Sequence, residues 1–582
     1  MVRVLEQSYR FGEFTLDASE HNLRRKGREV FLRPKAFETL WYLVERHGHL
    51  VEKNELMDHV WADTSVTETV LTHCITEVRQ ALEDDTRNPR YLKTIPRVGY
   101  KFIGEVEGIS PATQGREPPK SLTTRAAIVV LPFVNLSSDP ENEYLCDGLS
   151  EELINGLTKV RNLRVVAHSS AFSFKGRDTD VREIGHRLNV GSVLEGSVRK
   201  AGNRLRISAQ LINATDGYHV WSEQFDRQMD DVFAIQDDIS LVILDKLKVE
   251  LLSEERIALV KHPTDNLDAY HLYLKGRSFW HRRYEGFMQK ALECLQQAVE
   301  KDPLYALAHA GLADAYSAWG IWGLAAPREV FSKATAAAEK ALEIDSTLAE
   351  GYASRALISM FYDWDWAAAE SGLSRAIELN PGCALVHLFF GHYLSLVGQF
   401  DEAIAAMKQA QDLDPLSPVI GANVGWTLYL ARDCEAAIEE LHKVLELDPH
   451  FGIAHFYLGF IYARMERYKE AIAAFQKAVE ATGGMPWAAG SVGYAHALSG
   501  KQDRAVTVLR ELERQAKQRY VPSSALLLIY LGMGEDEKVF ECIRRGYEER
   551  DAMLPWLKVM PEFDRLQPDS RFQDLQRSMG RE

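Results

Sequence analysis

Three prolines, Pro381, Pro415 and Pro449, stand 34 residues apart, each closing a similar acidic tag: "ELNP", "DLDP" and "ELDP". A fixed period of this length constrains the fold more than any other feature of the chain. Each repeat has to be one supersecondary unit, and it can bury its apolar face only against copies of itself. Small residues recur within the period: Gly391, Ala403 and Ala410 in one copy, Gly425 and Ala437 in the next, and Gly459, Ala471 and Ala478 (with Tyr462 and Phe475) in a third. Small side chains at such places let two antiparallel helices approach closely, and the proline ends one unit and begins another.

This period resembles the tetratricopeptide repeat. The resemblance implies an all-α solenoid over residues 265–550, with weaker outer units near 267–303 and 484–550, as terminal units tend to be. The chain departs from the pattern at Val444, a usual alanine position, and in an insertion around "IWGLAAPRE". A solenoid implies a groove that takes a protein partner, and residues 551–582 are expected to cap its end. Trp364 and Trp366 are expected in the core, and "HRRYEG" (281–286) on the repeat surface.

The first half has other grammars. "VEGISPATQGREPPKSLTT" is rich in Gly, Pro, Ser and Thr and has no apolar period, so residues 105–123 read as a linker. Its "GREPPKS" is no phosphate loop, because Pro119 stands where that loop needs a glycine N–H. Ahead of it come short β-like pieces and three helical stretches. The first opens at Pro34, stops at Gly48 and lines Phe37, Leu40, Trp41 and Val44 on one face. "KNELMDHVW" is the second. The third runs from about Glu68 to Leu82, with Leu71, Ile75, Val78 and Leu82 as its buried stripe and Thr72, His73, Thr76, Arg79 and Gln80 on its other faces. "RNPRYLKTIPRVGYKF" then reads as two strands about a Pro–Gly turn, with five basic residues and no acidic one. Beyond the linker, "AAIVVLPFVN" and "LRVVAHSSAF" read as strands and "ENEYLCDGLSEELINGLTKV" and "DVREIGHRLNV" as helices. A β-rich stretch from about Ser192 and a closing amphipathic helix complete an α/β domain over 124–252. No catalytic constellation is visible in it, and His168, His186 and His219 read as structural.

Charge restricts what can be claimed. The chain carries a net charge of -16, and residues 1–107 hold 16 basic against 18 acidic side chains. Any nucleic-acid surface must therefore be a local patch, since exposed charges are screened beyond a Debye length of ~8 Å. The six cysteines form no C-x-x-C pair, and buried reduced thiols are expected. No apolar run approaches the ~18 residues of a membrane span, so no membrane association and a cytoplasmic location are expected.

Residues 8–104 resemble the OmpR/PhoB-type winged helix, in its ToxR/CadC-like branch. The resemblance rests chiefly on "LRPKAFETLWYLV" and "ITEVRQALEDDTRNPRYLKTIPRVGYKF". It implies a DNA-binding transcription regulator without a receiver domain, binding double-stranded DNA as a dimer or tandem pair. The third helix would be the recognition helix, presenting Thr72, His73, Thr76, Arg79 and Gln80. The terminal hairpin would be the wing, with Arg97 in the minor groove and Lys93, Thr94 and Lys101 on phosphates. Glu77 would face cytosine, a neighbouring cation or away from DNA. Arg24, Arg25, Lys26 and Arg28 form a second basic run. Residues 124–252 look like the TolB N-terminal-like domain found beside some cyclases and regulators. The expected whole is multidomain: an α+β winged helix-turn-helix, an α/β TolB-like domain, then the solenoid. Neither a cofactor nor an enzymatic activity is expected. The alternative is a repeat scaffold with a vestigial winged helix.

Overall fold

The computed structural model describes residues 8–12, 14–17, 22–25, 28–30, 32–48, 50–60, 68–82, 84–85, 89–95, 98–104, 106–109, 126–228, 232–249, 251, 263–281 and 285–580. It divides into two compact units, Met1–Leu122 and Thr123–Glu582.

In the first unit, β1 (Ser8–Phe11), β2 (Phe14–Asp17), β3 (Asn22–Arg25) and β4 (Arg28–Val30) form an antiparallel meander. Next come α1 (Pro34–Glu45), β5 (Leu50–Glu52), α2 (Lys53–Val60), α3 (Glu68–Leu82), β6 (Leu92–Ile95) and β7 (Gly99–Phe102). β5, β7 and β6 make a second sheet. A further strand, β8 (Glu107–Ile109), pairs with β1 and lies within the stretch read from sequence as linker. Three residues with a central glycine carry no period-2 signal of their own. The pairing to β1 is long-range, so sequence reading misses it.

Pro34 starts α1, where its missing N–H costs nothing. Gly48 follows the helix at φ +80° and its N–H donates to Phe102 O at 2.9 Å, tying the helix end to the hairpin. Phe37, Leu40, Leu71, Ile75, Val78, Leu82, Tyr91 and Phe102 are all buried in one core. Gly12 turns β1 into β2 at φ +53°, and a Cβ there would run into the Tyr91 hydroxyl.

The second unit begins with β9 (Ala126–Val130), β10 (Val134–Asn135), α4 (Glu143–Thr158), β11 (Leu163–Val165), α5 (His168–Phe172) and α6 (Val181–Leu188). β12 (Ser192–Ala201), β13 (Arg204–Asn213), β14 (His219–Gln228) and α7 (Val232–Lys246) follow. The sheet runs β11-β9-β12-β13-β14 and is mixed: β11, β9 and β12 are parallel, and β12, β13 and β14 antiparallel. "LRVVAHSSAF" is strand only to Val165 and then turns helical, because the chain leaves the sheet there to dock on the repeats.

Among the described residues eight helix pairs follow: Leu267–His281 (α8) with Glu285–Lys301 (α9), Ala306–Ile321 (α10) with Pro327–Ile344 (α11), Ala349–Ile358 (α12) with Trp366–Leu379 (α13), and Ala384–Val397 (α14) with Phe400–Leu413 (α15). The array continues with Pro418–Leu430 (α16) and Cys434–Leu447 (α17), Gly452–Arg464 (α18) and Tyr468–Ala481 (α19), Pro486–Leu498 (α20) and Gln502–Gln515 (α21), and Ser523–Met533 (α22) and Asp536–Glu549 (α23). The small residues of the period sit where helices touch. A Cβ on Gly391 would lie 2.9 Å from Met407 Cε, and one on Gly425 would lie 2.7 Å from Leu441 Cγ. The array curls until its second pair meets its last, where Arg328 Nε–H donates to Glu548 O at 2.9 Å. Trp364 is buried as expected, and Trp366 donates from Nε1 to Met579 O at 2.7 Å.

The α/β domain and the array are joined through buried polar contacts. The Asp414 carboxylate, from the "DLDP" tag, accepts the Ser170 N–H at 2.8 Å and its hydroxyl at 2.6 Å. That hydroxyl oxygen in turn accepts the Leu416 N–H at 2.7 Å. Glu151 on α4 meets the Arg277 guanidinium on α8 at 2.8 Å, with both side chains largely buried. The repeat turn at Asp414 thus serves the chain's own neighbouring domain.

Residues 551–582 depart from the expected terminal cap. The described part, to Gly580, runs back along the inner face made by the first helix of successive pairs and ends in α24 (Ser570–Ser578). Trp556 packs against Phe361, His392 and Trp426. Glu562 accepts the Tyr429 hydroxyl, and Arg432 pairs with Asp564 at 2.8 Å. Leu554, Leu557, Met560, Phe563 and Phe572 are fully buried. The groove expected to take a partner is therefore occupied in part by the chain's own tail. The tail's apolar residues Leu554, Leu557, Met560, Phe563 and Leu566 recur every third position, and this part holds the 3₁₀ segments Leu554–Trp556 and Pro561–Leu566. A period of three matches the 3₁₀-helix, in which i and i+3 eclipse. That was the available signal.

Candidate nucleic-acid interface

α3 carries its buried stripe as the periodicity requires, and its outer face is polar. At 3.6 residues per turn, Arg79, Thr72, Thr76, Gln80 and the backbone position of His73 fall within an arc of about 120°. Thr72, Thr76 and Gln80 are exposed and Arg79 is half-buried; the His73 side chain lies outside the described residues. The Thr76 hydroxyl donates to Thr72 O at 2.8 Å.

Both flanks of this face are braced. Glu77, one step round the helix, accepts the Arg33 backbone N–H at 2.9 Å and its Nε–H at 2.8 Å, and the ion pair closes to 2.6 Å at Nη2. The Arg33 side-chain hydrogen bond holds the Glu77 carboxyl below the ordinary carboxylate range. Of the three orientations open to Glu77 from sequence, the structure shows the neighbouring cation. On the other flank Arg79 Nη2 donates to Leu92 O at 3.0 Å and to Thr94 Oγ1 at 2.7 Å, clamping the helix to the hairpin.

The wing residues divide between two faces. Lys93 and Lys101 are cross-strand partners, in a row with Leu50, so their side chains share one face of the sheet. Thr94 alternates to the other face, beside Arg79. Two lysines directly opposite each other repel, an arrangement that a phosphate would relieve. Arg97, at the turn, lies outside the described residues, as does Lys26 of the second basic run. Arg24 is exposed, while Arg25 stands over the Phe14 ring at 5.6 Å.

Sequence reading passed over Asp84. It is buried, and its carboxylate accepts three backbone N–H groups, from Arg90 (2.6 Å), Tyr91 (3.2 Å) and Leu92 (2.8 Å). It therefore sets where the hairpin starts relative to α3. The adjacent acids of "EDD" gave no local cue as to which one turns inward.

Residues 27–102 match the family model described as "Transcriptional regulatory protein, C terminal". The N-terminal unit is a DNA-binding domain of transcription regulators. Residues 124–241 match the "HilA/YgeH-like transcriptional regulator, second domain". Residues 385–415 and 425–486 match tetratricopeptide models. The chain is similar to "Transcriptional regulator HilA" of Salmonella typhimurium, 25% identical over 442 residues, covering 75% of this chain and 76% of that one. It is also similar to "Putative adenylate cyclase 3" of Rhizobium meliloti, 36% identical over 252 residues; the match spans 42% of either chain. "Transcriptional activator CadC" of Escherichia coli is 35% identical over 95 residues, 16% of this chain and 19% of that one. The chain has the domain composition of a DNA-binding transcription regulator. Among the described residues no helix is long and apolar enough to cross a membrane.

Proposed function

We propose that this chain is a sequence-specific transcription regulator that reads duplex DNA in the major groove with the outer face of α3. The observation that carries this is the polar arc of α3 held from both sides, by Arg33–Glu77 and by Arg79–Thr94. A helix that must present three or four side chains to base edges needs its rotation fixed, and these contacts fix it. Thr72, His73, Thr76 and Gln80 are the readers in this proposal. Gln suits adenine, and the Thr methyl suits the thymine methyl. Arg79 acts on DNA mainly through the hairpin it clamps. Lys93 and Lys101 supply phosphate contacts, and Arg97 joins them by its place in the turn alone.

In the same reading the protein works in the cytoplasm as a dimer, binds no cofactor and catalyses no reaction. The HilA-like domain and the repeat array, joined through Asp414 and Glu151, relay a signal as one body. A protein partner that takes the inner groove has to displace the tail. Capture of fragmented genomic DNA by the full chain tests the proposal. Enrichment of discrete sites over competitor DNA is expected; uniform recovery at every salt concentration would leave only non-specific binding and defeat it.

A further inference from the structure

The inner face of the array holds a cavity of 290 Å³. An apolar cavity of roughly half that volume is enough to take benzene, so this one has room for a bicyclic aromatic. Five of the chain's eleven tryptophans line it, among them Trp426, Trp487 and Trp556. No lysine or arginine is among the described residues that line it, and its charged groups are the acids Asp314 and Asp551, so an anion meets no cation there and two like charges. Trp426 and Tyr457 stack at 4.5 Å with 18° between their planes. Trp556, from the tail, stands edge-on to His392 at 5.7 Å.

A polar pair in the wall, Asn423 and His392, keeps an unused valence. Asn423 Nδ2–H donates to Val419 O at 2.8 Å, which fixes its Oδ1 as an acceptor. That oxygen lies 2.9 Å from His392 Nε2 and accepts the Tyr457 hydroxyl at 3.3 Å. His392 therefore carries its proton on Nε2 and keeps a lone pair on Nδ1, for which the described residues provide no donor. Burial pushes this imidazole down to about 4, so the ring is neutral at physiological pH.

We propose that this cavity binds a small planar aromatic molecule that carries one N–H or O–H donor and no negative charge. The ring system lies among Trp426, Phe456 and Trp556, and the donor meets His392 Nδ1. Because Trp556 belongs to the tail, the site is complete only while residues 551–580 are docked, and occupancy holds the tail in place.

Isothermal titration of the full chain with three probes of one shape tests the proposal. 2-Naphthol supplies a donor, 2-methoxynaphthalene lacks it, and 2-naphthoate adds a negative charge. The expected order is 2-naphthol bound at one per chain, 2-methoxynaphthalene at least about tenfold weaker, as for one lost hydrogen bond to a buried acceptor, and no detectable 2-naphthoate. His392→Phe is expected to abolish the preference for naphthol over its methyl ether, and Trp556→Ala to weaken both. The probe order on the unaltered protein stands as a test even if a variant misfolds. Absence of 2-naphthol binding at its solubility limit, equal binding of 2-naphthoate, or a donor preference that survives His392→Phe would overturn the proposal.

Discussion

Replacing Arg79 by alanine separates a strut from a reader. Arg79 Nη2 donates to Leu92 O at 3.0 Å and to Thr94 Oγ1 at 2.7 Å, from a half-buried side chain. A hydrogen bond from a charged donor contributes about 1.5–3 kcal/mol, less where water competes. Losing the pair, with the Leu92 carbonyl left to find water, should cost roughly 2 kcal/mol. That is about a thirtyfold rise in local opening, at 1.36 kcal/mol per factor of ten. Hydrogen exchange on the full chain reads this directly: amides of α3 and β6 should exchange some thirtyfold faster in Arg79→Ala, while the repeat array stays unchanged. DNA affinity should fall in step with that loosening. If exchange in α3 and β6 is unaltered while DNA binding collapses, Arg79 touches DNA itself and the strut assignment is wrong.

Asp84→Ala leaves two buried backbone donors and one part-buried donor without their acceptor, so the N-terminal unit should lose about 3 kcal/mol, seen as an earlier calorimetric transition for that unit alone. Glu562 is buried against Tyr429 and burial pushes its carboxyl up to about 7 from an ordinary 4.5. The folded state therefore keeps a proton that the unfolded chain gives up. This contribution is full below about pH 4.5 and is lost as pH rises to about 7, by up to roughly 3 kcal/mol. Glu562→Gln should flatten that slope and raise stability at pH 8 in urea titrations; an unchanged pH profile would contradict the assignment. Removing residues 551–582 deletes the buried Leu554, Leu557, Met560, Phe563 and Phe572, each worth about 1.5–3 kcal/mol when buried, and exposes the apolar face of the array they cover. The truncated chain should melt far below the full one or aggregate, and an unchanged melting temperature would show that the tail is not part of the core.

Local signals were legible. The Glu68–Leu82 helix, its stripe and its polar outer face follow from one amphipathic period. The 34-residue spacing likewise announces paired helices. What pairs those elements was not legible. Arg33 reaches Glu77 across 44 residues, and Ser170 reaches Asp414 across 244, with nothing local to mark either partner. The same holds for β8, three residues whose pairing with β1 adds an edge to the sheet, and for the tail, whose period of three marks 3₁₀ structure but not the face it packs on. The division of the wing between a lysine face and a Thr94 face needed only the alternation of a strand, once the register was known.

The most direct test of the central claim is selection of binding sites from random duplex DNA by the full chain and by Thr76→Ala/Gln80→Ala, with affinities followed against salt. The account predicts that the double variant relaxes the selected motif at the positions α3 reads, by about 1–3 kcal/mol per lost base contact, while the slope of affinity against salt is unchanged because no phosphate contact is lost. An unaltered motif in the double variant would place sequence reading elsewhere and contradict it.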